Sequence, residues 1–314
     1  MPDAILRTVN LTKRFGARTA VDHVSLTLHA GDIYGFIGRN GAGKTTFIRM
    51  ITGLATPDEG EIELLGETTP QGLSRARGRT GCVVETPTFY GYMTAYDNLV
   101  VQCRLTGVDP AQRIPEVLES VGLEAGDRKR VKYFSLGQRQ RLGLARAMIN
   151  HPEVLLLDEP VNGLDPAGVV QFRDDLKRIA SREGTAILIS SHILSELAML
   201  ATRYGIIHEG RLIEEISGED LTRLNREVAV LRTSDAARAK EALLGDPFLS
   251  DADILIDPDG TVRVQGAGDR TGALCRRIVE YGVEVLMLGT QAFTLEDHFI
   301  RLTGGNNHAE SVAH

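Results

Sequence analysis

Alternation marks the first element of the chain. Val24, Leu26 and Leu28 fall on one side of a zigzag and Ser25 and Thr27 on the other, which predicts a half-buried strand over 24–29 with 4–9 as its partner. The pattern then changes. Ile33-Tyr34-Gly35-Phe36-Ile37, Val154-Leu155-Leu156-Leu157 and Ala186-Ile187-Leu188-Ile189 are unbroken apolar runs. Runs of this kind between helical stretches predict a parallel sheet buried on both faces. Residues 60–66 read as a further strand, started by the turn Pro57-Asp58-Glu59-Gly60. The first hundred residues thus predict an antiparallel lobe around a parallel core. From Ala95 to Ile149 the spacing is helical. One helix covers 115–121 and ends at Gly122; another covers 136–148 with Leu142, Leu144, Ala145 and Met148 on its buried stripe. Residues 204–208 and 211–213 flank Glu209-Gly210 as a hairpin.

The pattern restarts after Ser217-Gly218. A strand over 228–231, an alanine-rich helix over 235–244, a hairpin of 253–256 and 261–264 around Asp257-Pro258-Asp259-Gly260, a helix over 271–281 and a strand over 283–288 follow in turn. The order β-α-β-β-α-β predicts a small ferredoxin-like domain. The expected boundaries are 1–217 for the first domain, with a helical subdomain at about 86–150, 218–303 for the second, and a flexible end over 304–314.

Length agrees with two domains at roughly 150 residues each. The net charge of −7 lacks the basic footprint of a nucleic-acid binder, so no nucleic-acid partner is expected. Cys82, Cys103 and Cys275 match no metal spacing and suit a reducing compartment. Cys82 sits in a strand-like run and is expected to be buried and inert. No stretch approaches the ~18 consecutive apolar residues of a membrane span, and the polar start Met1-Pro2-Asp3-Ala4 does not read as a signal peptide.

Three stretches carry chemistry. Gly38-Arg39-Asn40-Gly41-Ala42-Gly43-Lys44-Thr45-Thr46 lies between an apolar strand and a helical pattern and fits the phosphate-binding loop. Glycines let the backbone wrap closely around an anion, and the N–H groups of a helix start point at it. Lys44 can reach the β- and γ-phosphates and the Thr45 hydroxyl can hold Mg²⁺. Asp158-Glu159 ends an apolar strand, where an Asp can hold Mg²⁺ and the next Glu can polarise an attacking water. Taken alone, the pair reads equally as solvated acids behind a core strand. Ser135-Leu136-Gly137-Gln138 opens a helix and reads either as a second anion site or as a plain helix cap.

Together, and in this order, the stretches resemble the nucleotide-binding subunit of an ABC transporter over about residues 4–216. Walker A is Gly38 to Thr46, the signature is Phe134-Ser135-Leu136-Gly137-Gln138, Walker B is Val154 to Glu159, the D-loop is Asn162-Gly163-Leu164-Asp165, and the switch histidine is His192. The resemblance implies an α/β P-loop NTPase core with an antiparallel β lobe and a helical subdomain. It implies an ATPase with ATP and Mg²⁺ as ligands. Gly38, Asn40, Gly41, Ala42, Gly43, Lys44, Thr45 and Thr46 would hold the phosphates, Thr45 and Asp158 the metal. Glu159 would be the base and His192 the γ-phosphate sensor, and Phe15 would stack on adenine. Two copies, identical or as a heterodimer, would pair head to tail so that Ser135, Gly137 and Gln138 of one complete the site of the other, and Asp165 of the D-loop would also bind nucleotide. Separate membrane-spanning permease subunits would then place the chain at the cytoplasmic face of the membrane.

One departure is Glu85, where the family usually has glutamine. Glutamate there resembles the bacitracin-resistance and lantibiotic-immunity exporters, and a carboxylate is a harder Mg²⁺ ligand than an amide; Glu85 is therefore a candidate metal and catalytic residue. Arg39 and Leu136 replace commoner residues without removing a phosphate-facing backbone group. The end, Phe293-Thr294-Leu295-Glu296-Asp297-His298-Phe299-Ile300-Arg301-Leu302-Thr303-Gly304-Gly305, resembles the same exporter group, and its stripe of Leu295, Phe299 and Leu302 is expected to dock on the chain itself, with the second copy as the alternative. The resemblance implies antibiotic, antimicrobial-peptide or other drug export. The alternatives are a soluble non-transport ABC ATPase and a regulatory ATP switch of low turnover.

Overall fold

In the computed structural model, residues 4–224, 228–291 and 294–303 are described. The expected flexible end, 304–314, lies outside them, as do Arg226 and Phe293. The chain divides into units of residues 1–218 and 219–314.

The first unit begins with β1 (Ala4–Phe15), β2 (Arg18–His29), β3 (Ile33–Ile37), α1 (Lys44–Thr52) and β4 (Glu59–Leu64). It continues through α2 (Pro70–Gly78), β5 (Thr80–Val83), α3 (Ala95–Thr106), α4 (Pro110–Ser120) and α5 (Leu136–Met148). Next come β6 (Val154–Asp158), α6 (Pro166–Glu183), β7 (Ala186–Ser191), α7 (Leu194–Ala198), β8 (Arg203–His208) and β9 (Arg211–Ser217). The helix α8 (Gly218–Leu224) then opens the second unit.

Two sheets build the first unit. β2, β1 and β4 form an antiparallel lobe in that order, and Val24, Leu26 and Leu28 are buried on its inner side as the alternation requires. The second sheet has the order β5-β6-β7-β3-β8-β9 and is parallel except at β9. Every residue of β3, β6 and β7 is buried, the expected state of strands covered on both faces. Register positions the site. Phe36 pairs with Ser190, Ile37 with Ser191, and Asp158 with Ser190. The carboxyl ends of three neighbouring strands therefore deliver the glycine-rich turn, the acidic pair and His192 to one edge, where ligands bind in open α/β sheets.

Cys82 corrects an expectation. β5 is an edge strand whose residues alternate, so Gly81 and Val83 face inward while Cys82 is exposed. Desolvation by its neighbours still pushes the thiol pKa up, with Arg146 acting in the opposite sense.

The second unit carries β10 (Val228–Thr233), α9 (Ala236–Leu244), β11 (Ile254–Ile256), β12 (Val262–Val264), α10 (Thr271–Glu280), β13 (Val285–Gln291) and α11 (Leu295–Thr303). Its sheet, β11-β12-β10-β13, is antiparallel throughout, which is the ferredoxin-like arrangement. The last strand starts later than its apolar pattern predicts. Gly282 has a φ of 79° and the Val283 N–H bonds to Ile278 O at 3.1 Å, so the end of α10 claims Val283. Leu231, Leu243, Val262, Leu274 and Ile278 form a separate core. Leu231→Ala is expected to lower the unfolding free energy of this unit by about 2–5 kcal/mol, read by denaturant titration of the full chain. In α11, Leu295 and Phe299 are buried and Leu302 is 39% exposed, so two of the three stripe residues are covered within the single chain.

Candidate functional site

The turn after β3 curls around its own lysine. Gly43 has a φ of 111°, and a Cβ there would meet Ala20 O at 2.4 Å; one at Gly38 would meet Ile207 O at 2.6 Å. Only glycine fits either position. Lys44 is buried, and its Nζ donates to Gly38 O at 2.6 Å and Arg39 O at 3.2 Å. No side chain caps the start of α1 at Gly43, so its first amides keep their capacity to bind an anion.

Across from the loop stand the acids. Glu159 has a φ of 49°, a conformation uncommon outside glycine. Its carboxylate is shared: Oε1 lies 3.1 Å from Lys44 Nζ and Oε2 lies 2.7 Å from His192 Nδ1. Asp158 is buried and its Oδ1 accepts from the Ser190 hydroxyl at 2.7 Å. The same hydroxyl accepts the Glu159 N–H at 3.0 Å. Among the described residues, no cation lies within ion-pair distance of Asp158. A buried carboxylate in that state suits a hard cation, and the Thr45 hydroxyl supplies a second hard oxygen on the nearby helix. The donor set fits Mg²⁺.

A cavity of about 440 Å³ opens over the loop and Glu159, with Asp158 and His192 behind Glu159 and outside its lining. Phe15 and Arg18 line one end, Asn40, Gly41 and Gly43 to Thr46 the floor, and Glu159 the far wall. Phe15 is 56% exposed, with Lys13 Nζ 5.5 Å from its ring centroid, so one ring face is open to a stacking partner.

Other expected site residues lie outside that lining. Ser135 and Gln138 form a capping box at the start of α5: Ser135 Oγ accepts the Gln138 N–H at 3.2 Å and Gln138 Oε1 accepts the Ser135 N–H at 3.1 Å. Asp165 caps α6 by accepting the Gly168 N–H. Gly137 lies next to Leu164, and Leu136 packs so closely on Gly163 that a Cβ there would come within 2.9 Å. The departure at Leu136 thus ties the signature turn to the D-loop within one chain. Glu85 has a φ of 62°, is largely exposed and forms an ion pair with Arg49 of α1.

Ser190, Arg18 and Arg49 join the site with little or no signal in the sequence. The signal for Ser190 was its place at the end of an apolar run one strand from Asp158. Arg18 was readable only through its neighbour Phe15; its guanidinium donates to Gly41 O at 3.0 Å. Arg49 had none, since an arginine on an amphipathic helix is ordinary.

Comparison with known proteins decides the family. The ABC transporter family model matches residues 21–162. The bacitracin transport ATP-binding protein BcrA of Bacillus licheniformis is 43% identical over 301 residues, covering 96% of this chain and 98% of that protein. The chain belongs to the ATP-binding subunits of ABC transporters. This ABC subunit is also 42% identical over 211 residues to the lantibiotic transport ATP-binding protein SrtF of Streptococcus pyogenes, covering 67% of the chain and 90% of that protein. In fold it resembles the dimeric structure of MJ0796, a bacterial ABC transporter cassette, with a TM-score of 0.62 and 24% identity over 68% of the chain and 98% of that cassette. As an ABC ATP-binding subunit it binds nucleotide and hydrolyses ATP. No helix among the described residues is long and apolar enough to cross a membrane.

Proposed function

We propose that this ABC subunit hydrolyses Mg-ATP in a head-to-tail dimer and drives a membrane exporter of antibiotic, antimicrobial-peptide or other drug cargo. One observation carries the reading: the cavity around Lys44 has a base ring, a phosphate cradle and an acid, while Ser135 and Gly137 of the same chain are not in its wall. A second copy supplies them. With its capping box formed, the start of α5 presents Ser135 and Gly137 beside the D-loop as one unit to a partner's nucleotide.

Phe15 stacks on the base, and Lys44 with the amides of Gly41, Gly43 and Thr45 holds the phosphates. Thr45 and Asp158 hold Mg²⁺, which when bound neutralises charge building on the phosphate oxygens. Glu159 takes the proton of the attacking water. His192, already 2.7 Å from Glu159, orients that carboxylate and reports on the γ-phosphate. Lys44 must release Glu159 as phosphates arrive, which frees the base only once substrate is in place.

Support for export comes from the relatives named for bacitracin and lantibiotic transport. Separate permease subunits at the cytoplasmic face of the membrane would receive the stroke. Tyr90 and Tyr92 offer them an exposed aromatic pair, 51% and 65% accessible, in the stretch from Thr86 to Gly107; Phe89 is instead covered by Arg146, 4.9 Å from its ring centroid. The reading is tested by specific ATPase activity against protein concentration. An activity that rises with concentration and plateaus agrees with two copies per site, and one that is flat down to the nanomolar range opposes it.

Glu85 is assigned to the metal and water side of the closed site, reached after leaving Arg49. Exposed pairs of this kind contribute about 0–1 kcal/mol, so the exchange is cheap. Glu85→Gln is expected to keep ATP affinity within about twofold, on the scale of one surface pair, and to change turnover or its coupling to transport. Unaltered hydrolysis together with unaltered export would remove Glu85 from the mechanism.

A further inference from the structure

We infer that Ser190 is the positioning residue that sets both Walker B acids at once. The inference rests on the roles proposed for Asp158 and Glu159. A serine hydroxyl has one proton to donate and two lone pairs to accept with. Here the proton goes to Asp158 Oδ1 at 2.7 Å, and a lone pair takes the Glu159 N–H at 3.0 Å. Ser190 is fully buried, so water does not replace either bond. The strand register places it directly beside Asp158.

The two bonds do different work. The first fixes the rotamer of the buried carboxylate that would hold the metal. The second holds the backbone of Glu159 in its left-handed conformation, φ 49°, alongside the weaker bond from the same N–H to Ser190 O at 3.2 Å. That conformation turns the Glu159 side chain toward Lys44 and His192 instead of continuing the strand. An ordinary extended backbone at 159 would point the carboxylate elsewhere. Ser190 is not in the lining of the cavity around Lys44, and acts through Asp158 and Glu159.

The test is Ser190→Ala and Ser190→Thr in the full chain, with binding of a fluorescent ATP analogue measured in EDTA and across a Mg²⁺ titration, beside steady-state kinetics. Ser190→Ala is expected to bind the analogue in EDTA as the parent does. It should need about 10- to 100-fold more Mg²⁺ for half-maximal enhancement of binding and lose kcat by a similar factor, the usual effect of removing a partner that orients a metal ligand. KM for ATP at saturating Mg²⁺ should change little. Ser190→Thr, which keeps the hydroxyl, should restore much of both. An unchanged Mg²⁺ requirement in Ser190→Ala, or weakened binding already in EDTA, overturns the inference. Asp158→Asn separates the levels: if it too leaves the Mg²⁺ requirement unchanged, the assignment of Asp158 fails and not only that of Ser190.

Discussion

Glu159→Gln is expected to reduce ATP turnover by about 10²–10⁴-fold, the range for losing a general base, while binding nucleotide more tightly than the parent. The first half follows from chemistry. Glutamine keeps the shape and the hydrogen bond to His192 but has no basicity for the water proton. The second half follows from the geometry around Lys44. The Glu159 carboxylate is 3.1 Å from Lys44 Nζ, so arriving phosphates compete with it for the same ammonium. It also adds a negative charge to the far wall of a cavity built for an anion. Removing that charge relieves both effects. Even the ~1 kcal/mol of a surface pair, a lower bound for a pair whose lysine is buried, is roughly fivefold in affinity. ADP should show the same gain, since the competition is with the phosphates in general and not with hydrolysis. Calorimetry with ADP and a quenched-flow or phosphate-release assay with ATP read the two halves separately. Equal ADP affinity in parent and variant would mean that the Lys44–Glu159 pair does not oppose binding. Turnover near the parent rate would remove Glu159 as base.

Lys44→Ala is expected to weaken ATP binding by about 2–5 kcal/mol, roughly thirtyfold or more, as when one partner of a buried charged contact is truncated. Lys44 is buried at 5% accessibility and its ammonium is fixed by Gly38 O, Arg39 O and Glu159. It is therefore held in place before nucleotide arrives, and little ordering remains to be done on binding. Its loss removes a preorganised charge from the cradle and leaves Glu159 held by His192 alone. Thermal melting of the nucleotide-free variant should stay close to the parent, because the fold of the loop is set by Gly38 and Gly43 and the sheet behind it. Calorimetric titration with ATP at several salt concentrations measures the loss. Binding within a few-fold of the parent would contradict the placement of phosphates at Lys44.

Much of this arrangement was legible because the informative residues are at the ends of wholly apolar runs. The apolar runs 33–37, 154–157 and 186–189 are short and alternate with helical stretches, so they read as buried strands, and their carboxyl ends carry the chemistry. The lobe was less legible in its extent. β1 and β2 run further than their alternation because polar residues continue the ladder: Lys13 pairs with Asp58 at 2.9 Å and Arg14 with Glu59 at 2.6 Å on β4 and the turn before it. A charged side chain on a half-solvated strand looks like the end of that strand when read alone. Ser190 was hidden for the opposite reason. A lone hydroxyl at the end of a hydrophobic run reads as a turn residue, and only the pairing of β6 with β7 shows that it faces Asp158. Leu136 and Gly163 show the same limit. They are 27 positions apart in the sequence, and the contact that joins the signature turn to the D-loop is made by folding. The left-handed backbone at Glu159 and Glu85 was also beyond reach, since glutamate has no preference for it.

One copy of the proposed ATPase holds half of a reaction centre. This is tested most directly by the mass in solution of Glu159→Gln, by light scattering coupled to size exclusion, with saturating Mg-ATP and with its membrane component present or absent. The expected result is a nucleotide-dependent dimer that Ser135→Arg abolishes without loss of ATP binding at the Lys44 site. A particle that stays at one copy with ATP bound, both alone and with the membrane component, would contradict it.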